Sequence, residues 1–338
     1  MMLDDQQPFQ STGFRVEIAG ANYAVPPEIE TTQQLAQQIG VDADWLRSTS
    51  GVDQRHVSPA DSDDPAQLAA TAARPLVDRF GTPDLLLYCG ALPRQVLPDT
   101  AAFVHRALDL RAVPGFSINA ACLSFLAGLQ SAQAMIRSGM YHNVLLVAAE
   151  LASRGRDLGD PHSAALLGDG AAATWLRSAA TDEHVAGPSL CRLDMETWSD
   201  GADAATVRDG GTLHQRYDRE STQRGLFQMN GPVLLRKTLP RLRRFLNAFL
   251  ENHQLSIDDI DLIIPHQASA AGMEWLRRYG FPSERTVSIL STHGNCVASS
   301  IPMAFSHALD SARLRPGMRC LLIGTGAGIS MGAALLQW

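Results

Sequence analysis

Phe116-Ser117-Ile118-Asn119-Ala120-Ala121-Cys122-Leu123-Ser124-Phe125 opens the stretch that decides the fold. Phe116 to Asn119 reads as a strand. From Phe125 onward, Phe125, Leu129, Ala132 and Ile136 form an apolar stripe at helical period. Gly139 follows as a C-terminal stop. Cys122 therefore stands where a strand turns into a helix.

Moving outward, the same pattern recurs. Val287-Ser288-Ile289-Leu290 leads to Asn295 as Phe116 to Asn119 leads to Cys122. Asp84-Leu85-Leu86-Leu87 parallels Asp261-Leu262-Ile263-Ile264. Asn143 to Val147 parallels Arg319 to Ile323, and Gly170 to Trp175 parallels Gly332 to Gln337. The matches keep their order, which implies an internal duplication with a period of roughly 170 residues. The runs at Leu85 to Cys89, Val144 to Val147, Leu262 to Ile264 and Cys320 to Ile323 are continuously apolar. Such strands, alternating with helices, imply an α/β fold whose sheet is covered on both faces.

The chain has 338 residues, room for a large core in two halves. The division read from the sequence is 1–178 for a half carrying the cysteine, 179–225 for a connecting segment, and 226–338 for a half carrying His266 and Asn295. Ser199 to Gly225, rich in Asp, Gly, Arg and Thr, reads as a long loop. The formal net charge is -7, and no Lys/Arg run points to nucleic acid. A local basic patch would still suit an acidic carrier protein. The five cysteines are widely spaced and include no CxxC pair. Neither a disulfide framework nor a zinc site is expected, and free thiols fit a reducing cytoplasm. Met1 to Thr12 is polar and lacks a signal-peptide pattern, and no apolar run is long enough to cross a membrane.

A thiol at a helix start faces unpaired N–H groups and the positive end of the dipole, so a lowered thiol pKa is expected at Cys122. Small neighbours, Ala120, Ala121 and Ser124, leave room for a bulky thioester. Taken singly, each candidate has a plainer alternative. Cys122 reads equally as a buried structural cysteine. His266, after the run Leu262 to Pro265, reads as a loop histidine, and Asn295 as a turn or cap residue.

Together these segments resemble a known family. Asn119-Ala120-Ala121-Cys122 through Gly128 is similar to the active-cysteine motif of the β-ketoacyl-acyl-carrier-protein synthase III group, in the thiolase superfamily. Pro265-His266-Gln267-Ala268 resembles its histidine motif. His293-Gly294-Asn295 with Ala298 to Pro302 resembles its asparagine motif. Gly168-Asp169-Gly170, Gly324 to Gly328, and Ser50 to His56 match further signatures, so the resemblance runs from about residue 14 to 338.

The resemblance implies a duplicated five-layer α/β/α/β/α fold and a homodimer. It implies a catalytic set of Cys122, His266 and Asn295, with an oxyanion hole from Cys122 and the Gly326 to Gly328 turn. An acyl group from coenzyme A or an acyl-carrier protein would load on Cys122. It would then meet a malonyl thioester in a decarboxylative Claisen condensation, with no metal or redox cofactor. Trp45, Leu97, Phe227, Ser269 and Arg277 are the implied substrate-binding positions, with Arg278 beside Arg277 in a small basic patch.

Several positions depart from the family pattern. Leu97 replaces an aromatic residue that reaches into the partner subunit's acyl pocket. Ser269 replaces an asparagine, Ala271 a basic residue and Thr49 an arginine. These departures point to a specialised relative. Two other functions stand beside condensation: acyl transfer to an alcohol or amine, and a non-catalytic partner subunit. The retained Cys122, His266 and Asn295 favour condensation. A degradative thiolase is disfavoured because Gly324 to Gly332 lacks a second cysteine.

Overall fold

The computed structural model describes residues 14–58, 63–180, 188–208, 211–212 and 225–338. The polar N-terminal segment and most of the run from 209 to 224 lie outside the described residues.

The four apolar runs form the strands Leu85–Tyr88, Asn143–Leu151, Leu262–Pro265 and Arg319–Gly326. Alternate side chains on a strand face opposite ways. Leu85 and Leu87 therefore pack into one apolar cluster, and Leu86 and Tyr88 into another. In the second half, Leu262 and Ile264 point inward while Ile263 points outward.

The sheet carries the duplication. Leu85–Tyr88 lies parallel to Gly115–Ser117 on one side and to Asn143–Leu151 on the other. Asp169–Ala180 and then Phe14–Ala24 follow antiparallel. In the second half, Leu262–Pro265 lies parallel to Arg319–Gly326, with Ser330–Gln337 and Ser189–Thr197 antiparallel in turn. A parallel bridge from Ile263 to Thr286 stands where Gly115–Ser117 stands in the first half. Even the strand entries match: Asp84 Oδ2 accepts the N–H of Asn143, and Asp261 Oδ2 accepts that of Arg319, each at 2.8 Å. The half-sheets meet where Glu17 pairs with Ser189.

Five layers follow from how the apolar faces are covered. Helices Pro65–Phe80 and Thr100–Ala107 cover the outside of the first half-sheet. Helices Gly231–Asn252 and Ala270–Tyr279 cover the outside of the second. Between the half-sheets lie Ser124–Arg137 and Ser300–Asp310, which share one core cluster with both inner faces. The predicted stripe Phe125, Leu129, Ala132 and Ile136 is fully buried there. Burial of Phe125, Leu129 and Ile136 contributes about 1.5–3 kcal/mol each relative to exposure.

The expected loop at Ser199 to Gly225 is only partly a loop. Ser199–Ala204 forms a 3-10 turn, and the strand Ala205–Val207 pairs antiparallel with Phe227–Met229. These strands are too short for an alternating pattern to register in the sequence. No helix among the described residues is long and apolar enough to cross a membrane.

Candidate functional site

Cys122 sits at a strained corner. Ala121 has φ +52, a conformation that costs an L-residue energy and persists only where its surroundings impose it. Two side chains impose it here. Asn119 Oδ1 accepts the Ala121 N–H at 3.0 Å, and Ser124 Oγ donates to the Ala121 carbonyl at 2.6 Å. The backbone N–H groups of Ala327 and of Cys122 itself are aimed at the sulfur.

The expectation of a lowered thiol pKa does not hold. Burial and the neighbouring Glu150 carboxylate push the Cys122 thiol up to about 12, against the two N–H groups. The helix starts only at Ser124, one residue beyond its cap Leu123, so loss of water around the sulfur outweighs the helix-end field.

Asn295 is fixed by four hydrogen bonds. Its N–H donates to Leu166 O at 2.7 Å and its carbonyl accepts from Gly168 N at 3.1 Å. Its Oδ1 accepts from Val297 N at 2.8 Å, and its Nδ2 donates to Ala268 O at 3.3 Å. That last bond ties it to the loop of His266. The close approach of the two segments needs glycine. A Cβ on Gly168 would lie 2.2 Å from His293 O, and one on Gly294 would lie 2.6 Å from Leu166 O.

His266 follows Leu262–Pro265, its N–H bonded to Ile323 O at 2.7 Å. Its ring is buried, and burial lowers its pKa to about 4, so it is neutral at pH 7. Its Nδ1 has no partner among the described residues. Gly324 sets it beside the cysteine corner: a Cβ there would lie 2.9 Å from Leu123 and 3.1 Å from the His266 Cβ.

A cavity of about 470 Å³ opens at this corner, lined by Cys122, Asn295, Ala327 and Phe227 among others. His266 instead lines a separate cavity of about 50 Å³ with Gly324 and Thr325. Of the two glycines expected in the oxyanion hole, Gly326 packs beside Leu123 and Cys122, while Gly328 takes φ +79. The amide aimed at the sulfur belongs to Ala327, between them. The position was legible as the middle of the turn; its direction was not.

The other predicted substrate positions lie apart from the larger cavity. Trp45 is half-exposed, its ring edge-on to His162 at 5.3 Å. Ser269 caps the helix Ala270–Tyr279. Arg277 and Arg278 both pair with Glu274 at 2.7 Å, so the basic patch is partly neutralised. Leu97 is 82% exposed and does not line the cavity that holds Cys122.

Glu150 was missed, although a carboxylate ending an apolar strand was visible in the sequence. It is fully buried, and its oxygens accept the N–H groups of Ala91 at 2.5 Å and Leu92 at 3.1 Å. The N–H of Ala298, in the loop that carries Asn295, donates to it as well. Burial nevertheless raises its pKa to about 8, with Asp169 adding repulsion.

Known proteins resemble this chain over nearly its whole length. The family described as 3-oxoacyl-[acyl-carrier-protein (ACP)] synthase III matches residues 116–201, and its C-terminal part matches residues 250–338. The β-ketoacyl-[acyl-carrier-protein] synthase III of Erythrobacter litoralis is 31% identical over 331 residues, covering 96% of this chain and 99% of that protein. The protein of the same name from Granulibacter bethesdensis is 30% identical, covering 95% and 98%. The crystal structure of 3-oxoacyl-(acyl carrier protein) synthase III from Pseudomonas aeruginosa superposes with a TM-score of 0.85 at 27% identity, covering 96% of this chain and 98% of that one. With its duplicated thiolase-type fold, this chain belongs to the 3-oxoacyl-[acyl-carrier-protein] synthase III family of condensing acyltransferases.

Proposed function

We propose that the protein forms a carbon–carbon bond by decarboxylative condensation of an acyl thioester with a malonyl-type thioester, through an acyl group on Cys122. The observation that carries this reading is the Cys122 corner. The sulfur faces an open cavity shared with Asn295, under the N–H groups of Cys122 and Ala327.

Those two amides are placed to bind the oxyanion of each tetrahedral intermediate. In the first half-reaction the Cys122 sulfur bonds to the acyl carbon. The donor's C–S bond breaks, and the thiol proton leaves on the donor thiol. In the second, the malonyl carboxylate departs as carbon dioxide and the resulting enolate attacks the acyl carbon. The Cys122 thiolate is expelled and regains a proton. Neutral His266 and the amide of Asn295 are hydrogen-bond donors suited to the enolate oxygen. The donor is carried by coenzyme A or an acyl-carrier protein, and the product serves fatty-acid or polyketide synthesis. A second copy of the chain completes the enzyme. Phe116, on the sheet-edge strand Gly115–Ser117, and the 82%-exposed Leu97 are the apolar groups it would cover.

Intact-mass analysis after incubation with a panel of acyl-coenzyme A thioesters tests the first half. An acyl adduct is expected on the wild type and none on Cys122→Ala. Adding a malonyl thioester should then discharge the adduct as a β-ketoacyl product. Equal labelling of Cys122→Ala would remove the proposed nucleophile. Loading without condensation would favour simple acyl transfer.

A further inference from the structure

Both corners of the site are strained, and in the same way. Ala121, one residue before Cys122, has φ +52, and Val297, two residues after Asn295, has φ +47. For a β-branched residue such as Val297 that is a marked outlier, and strain of this kind persists only where the surroundings over-determine it. In each corner an asparagine two residues earlier takes the strained amide. Asn119 Oδ1 accepts the Ala121 N–H at 3.0 Å, and Asn295 Oδ1 accepts the Val297 N–H at 2.8 Å.

One buried carboxyl stands behind both corners. Glu150 lies near the end of the strand Asn143–Leu151, where its backbone pairs with Gly170. Toward the first corner its oxygens accept the N–H groups of Ala91 and Leu92. The carbonyl of Ala91 accepts Asn119 Nδ2 at 3.0 Å, so the asparagine that holds Ala121 is tied to the loop Glu150 grips. Toward the second corner Glu150 accepts the N–H of Ala298, the residue after Val297. Ala91, Leu92, Asn119, Asn295 and Val297 line the cavity that holds Cys122, whereas Glu150 lies behind them and does not.

A buried carboxyl is a costly way to join two loops for stability alone. Burial opposes its charge, and apolar side chains could fill the same space. What a carboxyl adds is about four directional acceptor positions on one rigid fork, enough to fix three amides relative to each other. Reacting groups need placement to within about 0.5 Å, and a misplacement of about 1 Å can cost 10²-fold in rate.

We propose that Glu150 is a positioning residue that holds the Cys122 corner and the Asn295 corner in register, so that loading and decarboxylation share one geometry. This rests on the acyl-Cys122 reading above. Position and charge make opposite demands here. The Glu150 carboxylate opposes the Cys122 thiolate, so if charge were its whole effect, removing it would speed loading. If it positions, removing it slows loading.

The test measures the two half-reactions apart at about pH 9, above the value of about 8 at which Glu150 loses its proton. Loading is followed by intact mass with an acyl-coenzyme A thioester. Decarboxylation is followed by carbon dioxide release when malonyl-coenzyme A is added to the loaded enzyme. Rates are normalised to the folded fraction from thermal melts. Glu150→Ala should slow both steps by roughly tenfold or more, with KM for each thioester within about twofold of wild type. Glu150→Gln, which keeps one acceptor oxygen, should recover part of both losses, and it carries the test if the alanine variant does not fold. Asn119→Ala should slow loading, and adding it to Glu150→Gln should slow loading by less than the product of the two single effects. Faster loading or wild-type rates in Glu150→Gln would overturn the proposal. So would a loss confined to one half-reaction, or single effects that simply multiply in the double variant. Each of those results leaves Cys122 acylation standing. No adduct on wild-type Cys122 from any donor would sink both this proposal and the condensing reading.

Discussion

The chemistry of Cys122 turns on a contest between a local field and a global cost. Amide groups at the corner favour the thiolate, but burial and Glu150 hold the thiol pKa at about 12. The resting nucleophile is therefore a thiol, and its thiolate fraction rises about tenfold per pH unit everywhere below that value. We expect the alkylation rate of Cys122 by iodoacetamide to climb with that slope from about pH 7 to about pH 10. A plateau near neutrality would mean that the helix end wins after all. His266 behaves conversely: burial depresses its pKa to about 4, so it stays an uncharged donor across the working range. His266→Ala should cost about 10²–10³ in condensation rate while the acyl adduct on Cys122 still forms, as followed by product assay and intact mass. Loss of loading instead would place His266 in the first half-reaction. Cys122, His266 and Asn295 were singled out in the sequence by their match to three family motifs, and strand position alone left each with a plainer reading. The thiol pKa was not legible there, because desolvation depends on what covers the sulfur.

At the scale of elements, the site is made by glycines that let backbone pass backbone. Gly324 ends an apolar strand run and admits both Leu123 and the His266 Cβ. Gly324→Ala should force one of them aside, costing about 1–3 kcal/mol and lowering turnover more than donor binding. Thermal melts with kcat and KM measured separately check this. A stable variant with wild-type kcat would show that the corner has slack. The strands around Cys122 and His266 were legible from their continuous apolar runs. The pair Ala205–Val207 and Phe227–Met229 was not, because three residues cannot display a period. That pair nonetheless supplies Val207 and Phe227 to the cavity wall.

Across the whole molecule, Glu150 joins the halves. It grips Ala91 and Leu92 on the first half and Ala298 on the second. Its raised pKa has a thermodynamic consequence. The folded state keeps its proton to about pH 8, whereas the ordinary value is 4.5. Its contribution to stability is therefore complete below about pH 4.5 and is lost as pH rises through about 8. Wild-type Tm should fall across that window, and the Glu150→Gln curve should be flatter. Superimposable curves from differential scanning fluorimetry would refute this. Assembly is testable at the same scale: Phe116→Asp should turn a dimer into a monomer by sedimentation velocity, and an unshifted wild-type monomer would rule the dimer out.

Only resemblance to a family grouped Cys122 with His266 and Asn295; by itself the sequence determined the duplicated α/β architecture and the strand-to-helix corner at Cys122. These follow from patterns that repeat within a few residues or in register between the halves. Only the tertiary structure decided that Ala327 aims its amide at the sulfur, that Glu150 clamps two loops, and that the thiol is held protonated. Those features depend on distances between residues far apart in the chain and on the exclusion of water, and neither leaves a period in the sequence.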